Sequence, residues 1–412
     1  MALSAGEELL RRPARRTKIV CTLGPATSDV DVLAGLIVAG MDVARFNLSH
    51  GSHGEHLARL RALRQAEKAA GREVAVLFDL RGPEVRLLLP DGGPLQVNPG
   101  DRLPLPDSTW PGLARALRPG QRVLLADGTV TAEVLPPAGL PGDGPGVPVL
   151  AFTSGGVLRD RSKVVVPDLK PELPPVSAQD QDDLRFGVEA GADLFAMSFV
   201  HEARDVLELK DLLRSIGSDA PVIAKVETRA GLENLKAILA VADGAMVARG
   251  DLGTQCPFDE VPRMQKEILA LCGRSGKPGI TATEMLESMT RLPRPTRAEA
   301  SDVFNAVLDG TDALMLSGET AIGLHPVEAC RAMASIAVQA ERMIAEDRRL
   351  PPWLDSSGGR AGAQPVSLTA VAIAGAAVSA AEAVGASALV TPTRSGYTAR
   401  MVARLRPRQP II

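Results

Sequence analysis

Eight times along this chain, a short run of β-branched and apolar residues gives way to a segment whose apolar positions recur at helical spacing, and that alternation leaves few folds open. The runs are TKIVCTLG (17–24), MDVARFNLS (41–49), VAVLFDL (74–80), GADLFAMSF (191–199), PVIAKVE (221–227), GAMVARGDL (244–252), GITATEML (279–286) and DALMLSGE (312–319). Segments such as GLENLKAILAVADG, FDEVPRMQKEILALCGRSG and HPVEACRAMASIAVQAERMI follow them, with apolar residues every three or four positions, as on one face of a helix. The runs are apolar almost throughout, as strands of a parallel sheet sandwiched between helices must be. Eight units suit a closed (β/α)8 TIM barrel, and a doubly wound open sheet is the alternative.

The alternation breaks once. Residues 87–167 are dense in Pro and Gly and carry strand-like pieces, QRVLLADGTVTAEVL and VPVLAFTSGG, between turn residues. They read as a small β-rich lid module inserted after the third strand, where it would lie over the mouth of a barrel; a Pro-rich loop is the plainer reading. The expected organisation is a tail over 1–16, a barrel over 17–86 and 168–345 interrupted by the 87–167 module, a Pro/Gly-rich linker over 346–365, and an α/β domain over 366–412. This last piece offers two helices and two strands, too little for a core of its own, and is expected to be incomplete. RRPARR near the start reads as a solvated basic tail.

Composition excludes several functions. A net charge of -3 gives no basic surplus for nucleic acid or an anionic membrane. No apolar run reaches membrane-spanning length, and the N-terminal stretch lacks the apolar core of a secretory signal. Four cysteines form no CxxC pair, pointing to a reduced, cytoplasmic protein without a zinc site. His53, His56 and His325 fall at helix starts, where surface or capping roles are expected.

Chemistry in a barrel gathers at the C-terminal ends of its strands. Arg45, Asn47, Ser49 and His50 close the second run, Asp79 and then RGPEVR the third, Lys225 and Glu227 the fifth, Asp251 the sixth, Thr281, Thr283 and Glu284 the seventh, Ser317 and Glu319 the eighth. Lys225 and Glu227 stand two residues apart, on one face of their strand. A wet ion pair on an edge strand is the plain reading; a cation for a substrate anion beside a metal carboxylate is the sharper one. Oxygen ligands without a His/Cys cluster suit hard cations such as Mg2+ or K+. Glu227 and Asp251 are enough to hold Mg2+ with substrate oxygens and water, while Arg45, Arg86 and Lys225 offer positive charge to phosphates. No GxxxxGK[ST] loop is present, so a nucleotide is not held as in P-loop enzymes.

The stretch RPTRAEASDVFNAVLDGTDALMLSGETAIGLHPVEA (294–329) closely resembles the pyruvate kinase family, as do TKIVCTLGPAT, ARFNLSHG, DLRGPEVR, AKVET and MVARGDLG. The resemblance runs from about residue 17 to the end and is weakest across the inserted module. It implies transfer of the phosphoryl group of phosphoenolpyruvate to ADP, giving ATP and pyruvate in glycolysis, in a cytoplasmic homo-oligomer, with Mg2+ (or Mn2+) and K+ as cofactors. Lys225 resembles the lysine that stabilises the migrating phosphoryl group. Glu227 and Asp251 match the Mg2+ ligands, and the backbone of Gly250 and Asp251 the contact to the substrate carboxylate. Thr283 matches the threonine near the enolate carbon, with Ser317 and Glu319 as candidates for the proton relay. Asn47, Ser49, Asp79 and the carbonyl of Leu80 match the K+ site. Arg45 and Arg86 are similar to the phosphate-contacting arginines, and Asn47, His50, Arg86 and Pro25 to the nucleotide site. Glu84 is the residue type that accompanies K+ dependence in this family.

Departures from the family pattern are specific. Glu284 follows Thr283 where glutamine is usual, Leu80 replaces a threonine, and His201 stands in place of an arginine. The module is shortened, and SKVVVPD differs from the family's KGVNLPG, leaving open whether Lys163 reaches the site. A non-catalytic relative that binds ligand is the competing reading, and a lyase or aldolase barrel using phosphoenolpyruvate a more distant one.

Overall fold

A computed structural model describes residues 15–89, 92–136, 147–167, 169–346 and 367–412. Most of the expected tail and linker lies outside the described residues. Each of the eight runs forms a strand, and these are numbered β1 (Lys18–Leu23), β2 (Val43–Asn47), β3 (Ala75–Asp79), β4 (Leu194–Met197), β5 (Val222–Val226), β6 (Gly244–Ala248), β7 (Gly279–Ala282) and β8 (Ala313–Leu316). Neighbours pair in chain order and in parallel, and β1 pairs with β8 from Lys18↔Ala313 to Cys21↔Leu316, closing the barrel. The open-sheet alternative falls on that last pairing. Closure leaves no exposed edge among the eight strands.

Two apolar layers hold the barrel. Inward-pointing Val20, Leu77, Ile223, Met246, Ile280 and Met315 fill its interior. Outward-pointing Cys21, Phe46, Phe78 and Phe195 join helix residues such as Leu33, Leu63, Val206 and Met333 in the larger layer. Gly187 permits one close approach: a Cβ there would meet the Phe195 ring at 2.6 Å. The helices begin where local chemistry dictates. Ser52 with Glu55, Ser177 with Asp180 and Thr296 with Glu299 form capping boxes at the helices His53–Ala70, Ala178–Glu189 and Arg297–Leu308.

The module between β3 and β4 carries an antiparallel sheet of five short strands, in the order Val164–Val165, Arg122–Leu125, Val130–Leu135, Val149–Phe152, Arg102–Pro104. Leu87, Trp110, Val123, Leu125, Leu150 and Phe152 give it an apolar core of its own, so a structureless Pro-rich loop is excluded. It also contains one helical turn, Leu113–Ala116.

The C-terminal segment forms the helices Leu368–Ala383 and Tyr397–Ala403. The strands expected at 388–393 and 409–412 are reduced, among the described residues, to one parallel bridge, Leu389↔Ile411. Two other expectations need correction. Arg15, placed in the tail, is buried, with its guanidinium 2.9 Å from Asp42 and 2.6 Å from the Gly40 carbonyl. His56 is buried too, its Nε2 2.8 Å from the His50 carbonyl. His53 stacks on Phe186 and reaches Asp183 at 2.6 Å. Capping of this one helix start is done by Ser52 and Glu55, and His53 keeps a partly exposed surface position while His56 packs inward. No helix among the described residues is long and apolar enough to cross a membrane, and all four cysteines are free and buried.

Candidate active site

β5 is buried along its whole length, so the residues that follow its alternation reach the barrel mouth already shielded from water. Lys225 is 9% exposed and Glu227 fully buried, which removes the wet-pair reading. The Lys225 ammonium lies 3.0 Å from Glu227, 3.2 Å from Asp79 at the end of β3, and donates to Ser198 Oγ at 2.7 Å. Ser198 in turn donates to the Leu80 carbonyl at 2.7 Å. Burial alone would discharge this lysine, but Asp79 and Glu227 outweigh it and hold the amine above the usual lysine range.

Asp79 is similarly divided: burial opposes its charge, while Lys225 and Arg45 prevail and keep its carboxyl below the ordinary value. Arg45 donates from Nε to Asp79 at 2.7 Å and from Nη1 to Thr22 Oγ1 at 2.9 Å. Burial pushes Glu227 up to about 7, with Lys225 pulling the other way and Asp251 adding to the rise. Asp251, in the first turn of the short helix Arg249–Gln255, moves down: burial is outweighed by Lys163 and Lys225. The two acids are thus pushed in opposite directions, Glu227 up and Asp251 down.

The seventh strand supplies the next part. Thr283 and Glu284 both adopt left-handed backbone, at φ 69° and 51°, where a Cβ is unfavourable. Arg249 holds that turn by donating to the Thr283 carbonyl at 2.6 Å and the Glu284 carbonyl at 3.1 Å, while its other arm reaches Asp302 at 2.6 Å. Thr283 Oγ1 thereby accepts from the Gly250 amide at 2.8 Å, tying the ends of β6 and β7 together. Past β8, Glu319 is buried and accepts from the Ser317 amide at 2.7 Å and the Leu286 amide at 3.0 Å. Ser317 Oγ is buried with no hydrogen-bond partner among the described residues.

A fixed ammonium, two carboxyls with opposed proton affinities and a strained threonine at a barrel mouth can neutralise charge developing on a phosphate and position a carbon for protonation. Residues 14–330 match the family model described as pyruvate kinase, barrel domain, and residues 371–412 that of the pyruvate kinase alpha/beta domain. The chain belongs to the pyruvate kinase family. It is 44% identical to the pyruvate kinase of Geobacillus stearothermophilus, over 97% of this chain and 68% of that protein. Against the pyruvate kinase of Eimeria tenella it is 40% identical, over 97% of this chain and 76% of the relative. The crystal structure of a Cryptosporidium parvum pyruvate kinase superimposes with a TM-score of 0.86 at 35% identity, covering 100% of this chain and 84% of the other.

The other residues matched to the pyruvate kinase pattern fall into three groups. Asn47, Ser49, Asp79 and Leu80 come together at the adjoining ends of β2 and β3, where Asn47 and Asp79 are register partners. Asn47 Oδ1 accepts from the Ser49 amide at 3.2 Å. His50 and Pro25 are exposed at the rim beyond β2 and β1. Arg86 begins the inserted module, pairing with Glu84 and reaching the Arg161 carbonyl at 3.0 Å.

The acids suit a hard divalent cation. Glu227 Oε1 is buried without an aligned hydrogen bond, as is Asp79 Oδ1, and the donors around them are oxygen. Among the described residues no group of three His, Cys, Asp or Glu converges, so a cation here would need further ligands from outside these side chains. Lys163, left open by the sequence, does reach the site: it pairs with Asp251, lies 3.3 Å from Glu84, and sits 4.8 Å from the Phe199 ring centroid. Ser198, Phe199 and Arg249 had not been singled out at all. Phe199, at φ 54°, donates its amide to Glu227 at 2.6 Å. The signal for Ser198 was available, since it is a polar residue at the end of a predicted barrel strand. Phe199 acts through its backbone amide, and the Arg249 guanidinium through carbonyls distant in sequence, neither of which sequence marks.

Proposed function

We propose that this chain transfers the phosphoryl group of phosphoenolpyruvate to ADP, yielding pyruvate and ATP, at the mouth framed by Lys225, Glu227, Asp251 and Thr283. The observation that carries the assignment is Lys225, a buried ammonium held charged between two strand-end carboxylates. Such an amine is pre-oriented before substrate arrives and needs no reorganisation as charge spreads over the moving phosphoryl group. Arg45 adds a second fixed positive charge beside it. Gly250 and Asp251 present backbone to the substrate carboxylate, and Thr283 stands next to them to face the enolate carbon. Ser317 is the proton donor to that carbon, directly or through water, and Glu319 orients it through the Ser317 amide.

Glu227 and Asp251 would hold Mg2+ or Mn2+, which when bound neutralises phosphate and enolate oxygens. Asn47, Ser49, Asp79 and the Leu80 carbonyl would hold K+, and Asn47, His50, Arg86 and Pro25 would contact the nucleotide. The protein acts in the cytoplasm as a homo-oligomer, with neither nucleic acid nor membrane as a partner; the even charge balance and buried free cysteines support that setting. The test is pyruvate formation coupled to an indicator enzyme, with Mg2+ and with or without K+. Turnover in the intact chain, abolished in Lys225→Met and kept in Leu207→Ala on an exposed helix, is the expected result. Substrate binding with no pyruvate from the intact chain would refute the proposal.

A further inference from the structure

Lys163 stands just before the strand Val164–Val165 at the exit of the inserted module and joins the acid pair, and the mechanism above does not use it. Its side chain is 10% exposed, pairs with Asp251, lies 3.3 Å from Glu84, and covers the face of Phe199. Burial works against its charge, while Asp251 and Glu84 more than compensate. Its backbone is bridged to Arg86, so the entry and exit of the module are fastened together at this point.

Each acid of the pair thus already has a lysine, Lys225 at Glu227 and Lys163 at Asp251. A divalent cation between the two acids would face both ammonium groups at close range, and unscreened like charges in a buried site repel strongly. Lys225 is fixed by Asp79 and Ser198 on barrel strands. Among the described residues Lys163 pairs with Asp251 and Glu84, and it rides on the module. Behind it a cavity of about 250 Å³, bordered by Trp110, Phe199, His201 and Thr228, has room to receive the displaced side chain.

We propose that Lys163 is a positioning residue that occupies Asp251 in the metal-free enzyme and must leave when a divalent cation binds, so that metal loading and the seating of the inserted module are coupled. This rests on the assignment of Asp251 as a metal ligand, and the two can fail separately.

The experiment measures binding of Mn2+ to the full chain without substrates, by electron paramagnetic resonance of the free ion. Lys163→Met is expected to bind Mn2+ about tenfold more tightly than wild type, the scale of one lost close charge pair. Lys163→Arg is expected to restore the wild-type value. An unchanged or weakened Mn2+ affinity in a Lys163→Met protein that melts normally overturns the proposal. Mn2+ binding as tight in Asp251→Asn as in wild type would instead overturn the metal assignment. Should Lys163→Met fail to fold, acylation of Lys163 in the wild-type protein, followed by mass spectrometry, decides: its labelling must rise when Mn2+ is added, and no rise sinks the idea.

Discussion

Arg249 shows how much of this site is decided one residue at a time. Its fork spans three acceptors in the Thr283–Glu284 turn and Asp302, and both turn residues pay a conformational cost to stay left-handed. Without that fork the turn relaxes, and Thr283 Oγ1 loses its register with the Gly250 amide. Arg249→Leu should lower turnover by about ten- to a hundredfold, the usual result of a sub-ångström misplacement near reacting atoms. It should also cost about 1–3 kcal/mol of stability from acceptors left without a donor. Arg249→Lys should not rescue, because an ammonium cannot span the same acceptors. Steady-state kinetics with thermal melts checks both; a Lys variant as active as wild type would show that charge, not the fork, is what matters. MVARGDLG was legible as a strand end carrying Asp251, yet nothing in it marked Arg249 as a clamp, since its partners are carbonyls 34 and 35 residues away.

At the scale of elements, capping boxes set where helices start, and one of them reaches towards the site. Glu299 accepts from Thr296 at the start of its own helix and from the Ser288 amide at 2.7 Å. Ser288 belongs to the short turn Glu287–Thr290 that follows β7. Burial raises the Glu299 pKa, but the hydrogen bonds from Ser288 and Thr296 outweigh it and leave the carboxyl below its ordinary value. A depressed folded-state pKa stabilises above the unfolded value and is lost as pH falls through the folded one. Glu299→Ala should therefore cost about 1 kcal/mol at neutral pH, the group being well solvated, with the gap to wild type narrowing below about pH 4. Urea melts at two pH values measure this, and a gap independent of pH would contradict it. The T-x-x-E pattern was readable in RPTRAEA; the tie to Ser288 was not, because it depends on how the β7 loop folds back.

For the whole molecule, the important division is between the barrel layers and the separate core of the inserted module. Phe152 lies buried in the latter. Phe152→Ala should remove about 3–5 kcal/mol from the module. Hydrogen exchange should then quicken for amides between residues 95 and 158 and leave those of β1 to β8 unchanged. Accelerated exchange throughout the barrel would mean that the two cores unfold as one. Chelation of divalent cations should abolish turnover while leaving the barrel's melting transition in place, as calorimetry with and without chelator would show; a barrel that melts early would make the cation structural.

Periodicity, strand-end chemistry and the run of specific motifs were enough to establish the eight β/α units, the interrupting β-rich module and the family, because these depend on residues close together in the chain. They also marked Lys225, Glu227 and Asp251 as a group to watch. Closure of the sheet was decided only by the pairing of β1 with β8, some 295 residues apart. Burial of the Lys225–Glu227 pair, the opposed proton affinities of Glu227 and Asp251, and the arrival of Lys163 from the inserted module were likewise tertiary outcomes. Desolvation and Coulomb energy depend on distances in space, and a linear pattern of residues does not contain those distances until the chain has folded.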